Sequence, residues 1–245
     1  MVEPTLFHPR TYRDFSEDAR FKTFRVTVET SDLYVKAHRL LEKETEDLIR
    51  RARSQVEAAI ARRPVFLSSL TSVEEDPADA PIVARMIRAG VKAGTGPMAA
   101  VAGAVAEFVG RGLLEWSDEL IVENGGDIFL NMADPVVVGI FAGNSPFNGK
   151  LGLKIEPSGI PTGICTSAAT VGPSLSLGKA DAATVISCDV PLADAVATAM
   201  GNRISGPDDL KEAVEWAMAI PGVDGALAII DDKISAVGIP DLVRI

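Results

Sequence analysis

Asp194 and Thr198 stand four residues apart in DVPLADAVATAMGN, where a proline opens a run of alanines. On a helix that spacing projects both side chains from one face, one turn apart. A carboxylate and a hydroxyl so placed are hard oxygen donors, suited to Mg2+ together with a ligand phosphate. The same pair also suits a plainer role, with Asp194 near a helix start and Thr198 back-bonding to its own helix. A second set of reactive types lies in ENGGD at 123–127. Gly125 and Gly126 either supply the positive dihedrals of a tight hairpin turn or let backbone approach a ligand, with Asp127 accepting from ring or ribose donors. A third set is the hydroxyl-rich stretch 161–172, carrying Thr162, Thr166, Ser167 and Thr170. Amides and hydroxyls in such a loop can hold a phosphate, or can be ordinary turn chemistry.

Glu107 is a lone carboxylate among small and apolar residues, PMAAVAGAVAEFVGRGL, and is either exposed or in need of a partner. If burial raises its pKa, Glu107 or Asp127 can serve as a general base. Cys165 lies in the hydroxyl-rich segment, where N–H donors can favour a thiolate with Cys188 as resolving partner. Either thiol is equally a small buried hydrophobe. Two cysteines and two histidines, His8 and His38, cannot make a structural zinc site unless all four converge.

These residues need a scaffold, and its elements are readable in the sequence. Residues 24–28 and 33–37 alternate as half-buried strands of a hairpin. Leu41, Leu48, Ile49, Ala52, Val56, Ala59 and Ile60 share one face of a long helix that Pro64 ends. A short strand is expected at 65–70, helices at 81–93 and 97–114, and two strands around Gly125-Gly126. Further strands are expected at 136–141 and 151–155, and the loop between them, 142–149, is placed to lie over a site. The strand 182–188 delivers the helix of Asp194, with Asp189 as cap and Pro191 in its first turn. A helix over 207–218 and a hairpin over 226–237 complete an α+β pattern with antiparallel sheet and several helices. A single domain over residues 1–245 is expected, with residues 1–20 as an arm on the body or on another subunit, a route to a homo-oligomer.

With 47% hydrophobic residues in 245, the chain can bury a sizeable core. Its net charge of -10 argues against a nucleic-acid or anionic-membrane surface. No apolar run is long enough to cross a bilayer, and the first residues lack the basic-then-apolar order of a signal peptide, so a cytoplasmic location is expected.

Three stretches, in order, resemble the ApbE-like superfamily, that of the FAD:protein FMN transferases. They are AVAGAVAEFVGRGLLEWSDELIVENGGDIFL, GICTSAATVG and DVPLADAVATAMGN, within roughly residues 95–203. The resemblance implies an ApbE-like fold of antiparallel sheet layers with packed helices, and a ligand that is FAD or another nucleotide with Mg2+. It implies Asp194 and Thr198 as metal ligands, with the Ala99 backbone carbonyl added. Gly125, Gly126 and Asp127 fall at the flavin or ribose, Glu107 at the acidic helix position, and Thr166 and Ser167 beside the nucleotide. Where the transferases carry Lys-Gly in the first helix, this chain has Ala102-Gly103. Their His-x-x-Asp-Pro motif is replaced by PSLSLGKADAATV, which has no histidine, so efficient FMN transfer to a protein threonine is not expected. A sulfur or redox role for Cys165 and a non-catalytic scaffold are the alternatives.

Overall fold

The computed structural model describes residues 19–168, 177–239 and 241–245. Most of the expected N-terminal arm, together with His8 and Thr170, lies outside the described residues.

Alternation builds the first hairpin: in β1 (Lys22–Val28) and β2 (Ser31–Ala37), Phe24, Val26, Val28, Leu33, Val35 and Ala37 all point into one core. The long helix α1 (Glu42–Arg62) packs its Leu48, Ile49, Ala52, Val56 and Ala59 stripe on the same core. After Pro64 the expected strand at 65–70 is instead a single helical turn, α2 (Val65–Ser68). Proline is pre-organised for a helix start, and the Ser69 amide closes the turn on the Val65 carbonyl at 2.9 Å, so no ladder partner is needed.

Helix α3 (Pro81–Ala93) ends on Gly94 in the left-handed region, φ +70°. The expected helix 97–114 divides into a 3-10 turn, Pro97–Ala100, and α4 (Val101–Leu113). Strands β3 (Leu120–Asn124) and β4 (Asp127–Asn131) flank Gly125 and Gly126, whose φ values of +73° and +114° are those of a tight two-residue turn.

The chain then runs through β5 (Val136–Gly139), β6 (Leu151–Ile155), β7 (Thr162–Ser167) and β8 (Ala182–Ser187) into α5 (Val190–Asn202). It continues through α6 (Leu210–Met218), β9 (Gly225–Ile230), β10 (Lys233–Val237) and a further strand, β11 (Asp241–Arg244), that the sequence patterns did not single out. The large sheet has the order β1-β2-β3-β4-β7-β8-β9-β10, the small one β11-β6-β5, and all the pairings are antiparallel. Helices cover one face of the large sheet and enclose the main core. The small sheet covers part of the other face over a second core built on Leu130, Leu153, Ile164, Ile186 and Ile229. The fold is α+β, in helix, sheet and sheet layers.

Two segments expected to be loops over a site behave differently. The hydroxyl-rich segment is an interior strand as far as Ser167. Its small residues are required because α5 lies directly on it: a Cβ on Gly163 would sit 2.9 Å from the Val190 Cα. The loop 142–149 does not cover the helix side of the sheet. Ser145 Oγ donates to the Asp231 carbonyl at 2.6 Å and Phe147 packs on the second core, both on the small-sheet side.

Candidate functional site

Helix α5 begins where Asp189 accepts from the Leu192 amide, at 3.4 Å, and Pro191 occupies the first turn. Its small side chains let it lie between the large sheet, α3 and α4, with Asp194 buried at 8% exposure. Asp194 Oδ2 accepts from the Gly103 N–H at 2.8 Å. The Ala102 amide faces the same carboxylate. Helix α4 has no side-chain cap of its own, so the carboxylate of α5 satisfies its first-turn donors across the helix contact. In an uninterrupted helix the Gly103 amide would bond the Ala99 carbonyl. The break into a 3-10 turn directs it to Asp194 instead.

The close approach requires glycine. A Cβ on Gly103 would lie 2.8 Å from both Asp194 Cβ and the Val190 carbonyl oxygen. Burial pushes the Asp194 carboxyl from 3.8 up to about 7, while the Gly103 and Ala102 amides pull it down.

Strand register decides which of the other candidates share this face. Asp127 pairs with Cys165 across β4 and β7, and Cys165 lies under α5, its Sγ 3.6 Å from the Val190 carbonyl. Ser167, two residues on, shares that face, since a Cβ on Gly201 would be 3.8 Å from its Oγ. Thr198, part-exposed, stands one helical turn from Asp194 and three residues from Gly201. Asp127, Cys165 and Ser167 therefore share the face of the large sheet that α5 covers, while Asp194 of α5 meets α4 and Thr198 stands one turn further along the same helix.

Thr166 points the other way. Its hydroxyl meets that of Thr184 at 2.9 Å on the opposite face of the sheet, and only its backbone turns to the site, donating to the Gly126 carbonyl at 3.2 Å. Asn124, which the sequence patterns did not mark for chemistry, donates from Nδ2 to the Ala102 carbonyl at 3.0 Å and ties the glycine turn to the start of α4.

Glu107 is 1% exposed, and its need for a partner is met twice. Arg111 Nε donates to Oε1 at 2.6 Å and Arg85 Nη2 lies 2.7 Å from Oε2. Oε1 is hydrogen-bonded by Arg111, whereas Oε2 is ion-paired with Arg85 without an aligned hydrogen bond, and together the contacts tie α4 to α3. Burial pulls the Arg85 pKa down, yet the neighbouring Glu107 and Asp189 carboxylates leave it raised.

Cys165 is fully buried beneath α5. Burial, then the charges of Asp127 and Asp194, push it well above the usual thiol range. Cys188 is exposed, and lies three residues past the partner of Cys165 on β8, about 10 Å along the strand, which is too far for a disulfide. His38 stacks on Phe21 and lies 3.3 Å from Asp118 at the β2 end remote from the glycine turn. The fold therefore does not return it to Asp194. Among the described residues no three His, Cys, Asp or Glu side chains form a metal cluster. No helix among them is long and apolar enough to cross a membrane.

Comparison with known proteins supplies the family and the fold. A family model described as "AbpE bacteria" matches residues 13–234. A UPF0280 protein of Methanocella arvoryzae is 51% identical over 201 residues, covering 81% of each chain. A UPF0280 protein of Methanocaldococcus jannaschii is 40% identical over 209 residues, covering 82% of this chain and 84% of its own. Among solved structures, the flavin transferase ApbE of Vibrio cholerae superposes with a TM-score of 0.57 at 13% identity, covering 89% of this chain and 97% of that one. The apo flavinyl transferase ApbE of Pseudomonas stutzeri gives 0.53 at 15%, covering 89% and 93%. At such identity these two establish the fold alone. The family match and the close relatives establish more: the chain belongs to the ApbE-like family, in the branch of the UPF0280 proteins.

Proposed function

We propose that this protein binds a flavin, FAD before others, or another nucleotide together with Mg2+, between the Gly125-Gly126 turn, the first turn of α4 and α5. The observation that carries the reading is the Asp194 carboxylate. It is buried with backbone amides as its hydrogen-bond donors, and burial raises its pKa to about 7. A cation beside it would offset the unfavourable burial of its charge. The donor types fit Mg2+: the Asp194 carboxylate, the Thr198 hydroxyl and the Ala99 carbonyl are all oxygens, and Mg2+ usually keeps several waters besides. Bound there, Mg2+ would polarise a phosphate and neutralise charge developing on it.

The remaining roles fall to the chain itself. Gly125 and Gly126 expose backbone for close approach, and Asp127 accepts from ring or ribose donors. Ser167 supplies a hydroxyl, and Thr166 a backbone carbonyl rather than its side chain, its amide being bonded to the Gly126 carbonyl. Glu107, paired with Arg111 and Arg85, anchors α4 to α3. Among the described residues this leaves Asp127 and Asp194 as the acidic groups of the site, with no histidine beside them.

A threonine hydroxyl attacks phosphate well only when a positioned base takes its proton, a contribution of about 10²- to 10⁴-fold. Nucleotide retention or slow hydrolysis of a pyrophosphate is therefore favoured over efficient protein flavinylation. Incubation with FAD, Mg2+ and a threonine-containing acceptor tests this. The expected result is little or no fluorescent acceptor band after denaturation, and a strong band would refute the reading.

A further inference from the structure

Arg85 on α3 bridges two carboxylates on different helices. Its Nη2 lies 2.7 Å from Glu107 Oε2 on α4 and 3.0 Å from Asp189 Oδ1 at the start of α5. Glu107 follows Gly103 by one helical turn, and Asp189 precedes Asp194 by five residues. The contact between α4 and α5 thus has two ends. At one, Asp194 meets the Gly103 amide with no side chain between the helices. At the other, the guanidinium of Arg85 joins the middle of α4 to the cap of α5. Helix α5 also packs along α4, α3 and the large sheet, and the Arg85 link ties its start to the middle of α4. Both contacts run through the one Nη2, so a lysine ammonium, a compact point charge, would keep only part of the link.

We propose that Arg85 is a positioning residue for the cation site: it holds α5 so that Asp194 keeps one oxygen on the α4 amides while its carboxylate and Thr198 face the bound ion. This rests on the Mg2+ reading above. Arg85 itself touches neither the ion nor the nucleotide. Supporting groups behind a metal ligand typically change metal affinity by about 10- to 100-fold when removed.

The test uses Mn2+ as the probe, its free ion followed by electron paramagnetic resonance in the full chain. Wild type, Arg85→Met and Arg85→Lys are compared, with circular dichroism to establish folding and FAD binding measured without metal. The expected result is a folded Arg85→Met that binds Mn2+ about tenfold more weakly, metal-free FAD affinity unchanged, and partial rescue in Arg85→Lys. Asp189→Asn removes the charge at one end of the link while keeping a good helix cap, and is expected to weaken Mn2+ binding several-fold even if Arg85→Met does not fold. Unchanged Mn2+ affinity in either folded variant, with lowered thermal stability alone, would reduce Arg85 to a structural tie and overturn the proposal. If wild type itself binds no Mn2+, the cation reading fails and this proposal with it. Binding in wild type that the variants leave intact defeats the positioning role alone.

Discussion

Gly103→Ala separates a tight contact between α4 and α5 from generic helix behaviour, because the two give opposite signs. In a helix interior, alanine is favoured over glycine by about 1 kcal/mol. At this position the new Cβ would lie 2.8 Å from Asp194 Cβ, 2.8 Å from the Val190 carbonyl oxygen and 3.3 Å from Asp194 Oδ2. Neither α5 backbone nor a Cβ can rotate away, so the helices must part, and overpacking of this kind costs about 1–3 kcal/mol. Parting also stretches the buried Gly103 bond to a carboxylate, whose loss is worth about 1.5–3 kcal/mol. The propensity gain offsets only part of this, leaving a net loss of about 1.5–5 kcal/mol. At about 2–4 °C per kcal/mol for a chain of this size, the melting temperature should fall by roughly 3–20 °C. Gly112→Ala in the same helix is the control. Its Cβ would meet the δ-carbons of Leu48 at 2.6 and 2.8 Å, the end of a side chain that can move, so its effect should stay within about 1 kcal/mol. Urea denaturation of both variants decides the matter. A Gly103→Ala protein as stable as wild type, or more so, would refute the close contact between α4 and α5.

In metal-free buffer the stability of wild type relative to Asp194→Asn should be greatest near pH 4 and fall as the pH rises to about 7. The sign follows from the raised native pKa: between 3.8 and about 7 the folded state holds the proton that the unfolded state releases. Parallel denaturation profiles for the two proteins across that range would contradict the burial argument. A thiol reagent added to the native protein should modify Cys188 and spare Cys165, the second equivalent appearing only on unfolding. Rapid native labelling of both would revive a reactive role for Cys165.

The helices and the hairpin around Gly125-Gly126 were legible because their patterns are local: a 3.6-residue stripe in α1, a proline and an Asp cap at α5, two glycines in a turn. The start of α2 and the strand β7 were not. Val65, Phe66 and Leu67 carry β-forming side chains, but only Phe66 is buried, and Pro64 had already set a helical turn. The hydroxyl-rich run around Cys165 looks like a loop until α5 is laid across it, when small residues become a packing requirement.

Within the site, the chain order of Asp127, Ser167, Asp194 and Thr198 could be read without coordinates. The opposite orientation of Thr166 needed the strand register. Glu107 was identified as needing a partner if buried, but nothing local pointed to Arg85, which lies 22 residues away on another helix. Gly103 and Asn124 likewise acquire their roles only through contacts made by the fold.

The central claim, that Asp194 organises a site for a nucleotide with Mg2+, is tested most directly by thermal unfolding of wild type and Asp194→Ala. Both proteins are scanned against FAD, FMN, ADP and ATP, each with and without Mg2+. A ligand present at a hundred times its dissociation constant stabilises the native state by about 2.7 kcal/mol, at about 2–4 °C per kcal/mol. The predicted result is an upward shift for at least one nucleotide that grows with Mg2+ in wild type and loses its Mg2+ dependence in Asp194→Ala. No shift with any nucleotide, or an equal Mg2+ response in a folded Asp194→Ala protein, would contradict it.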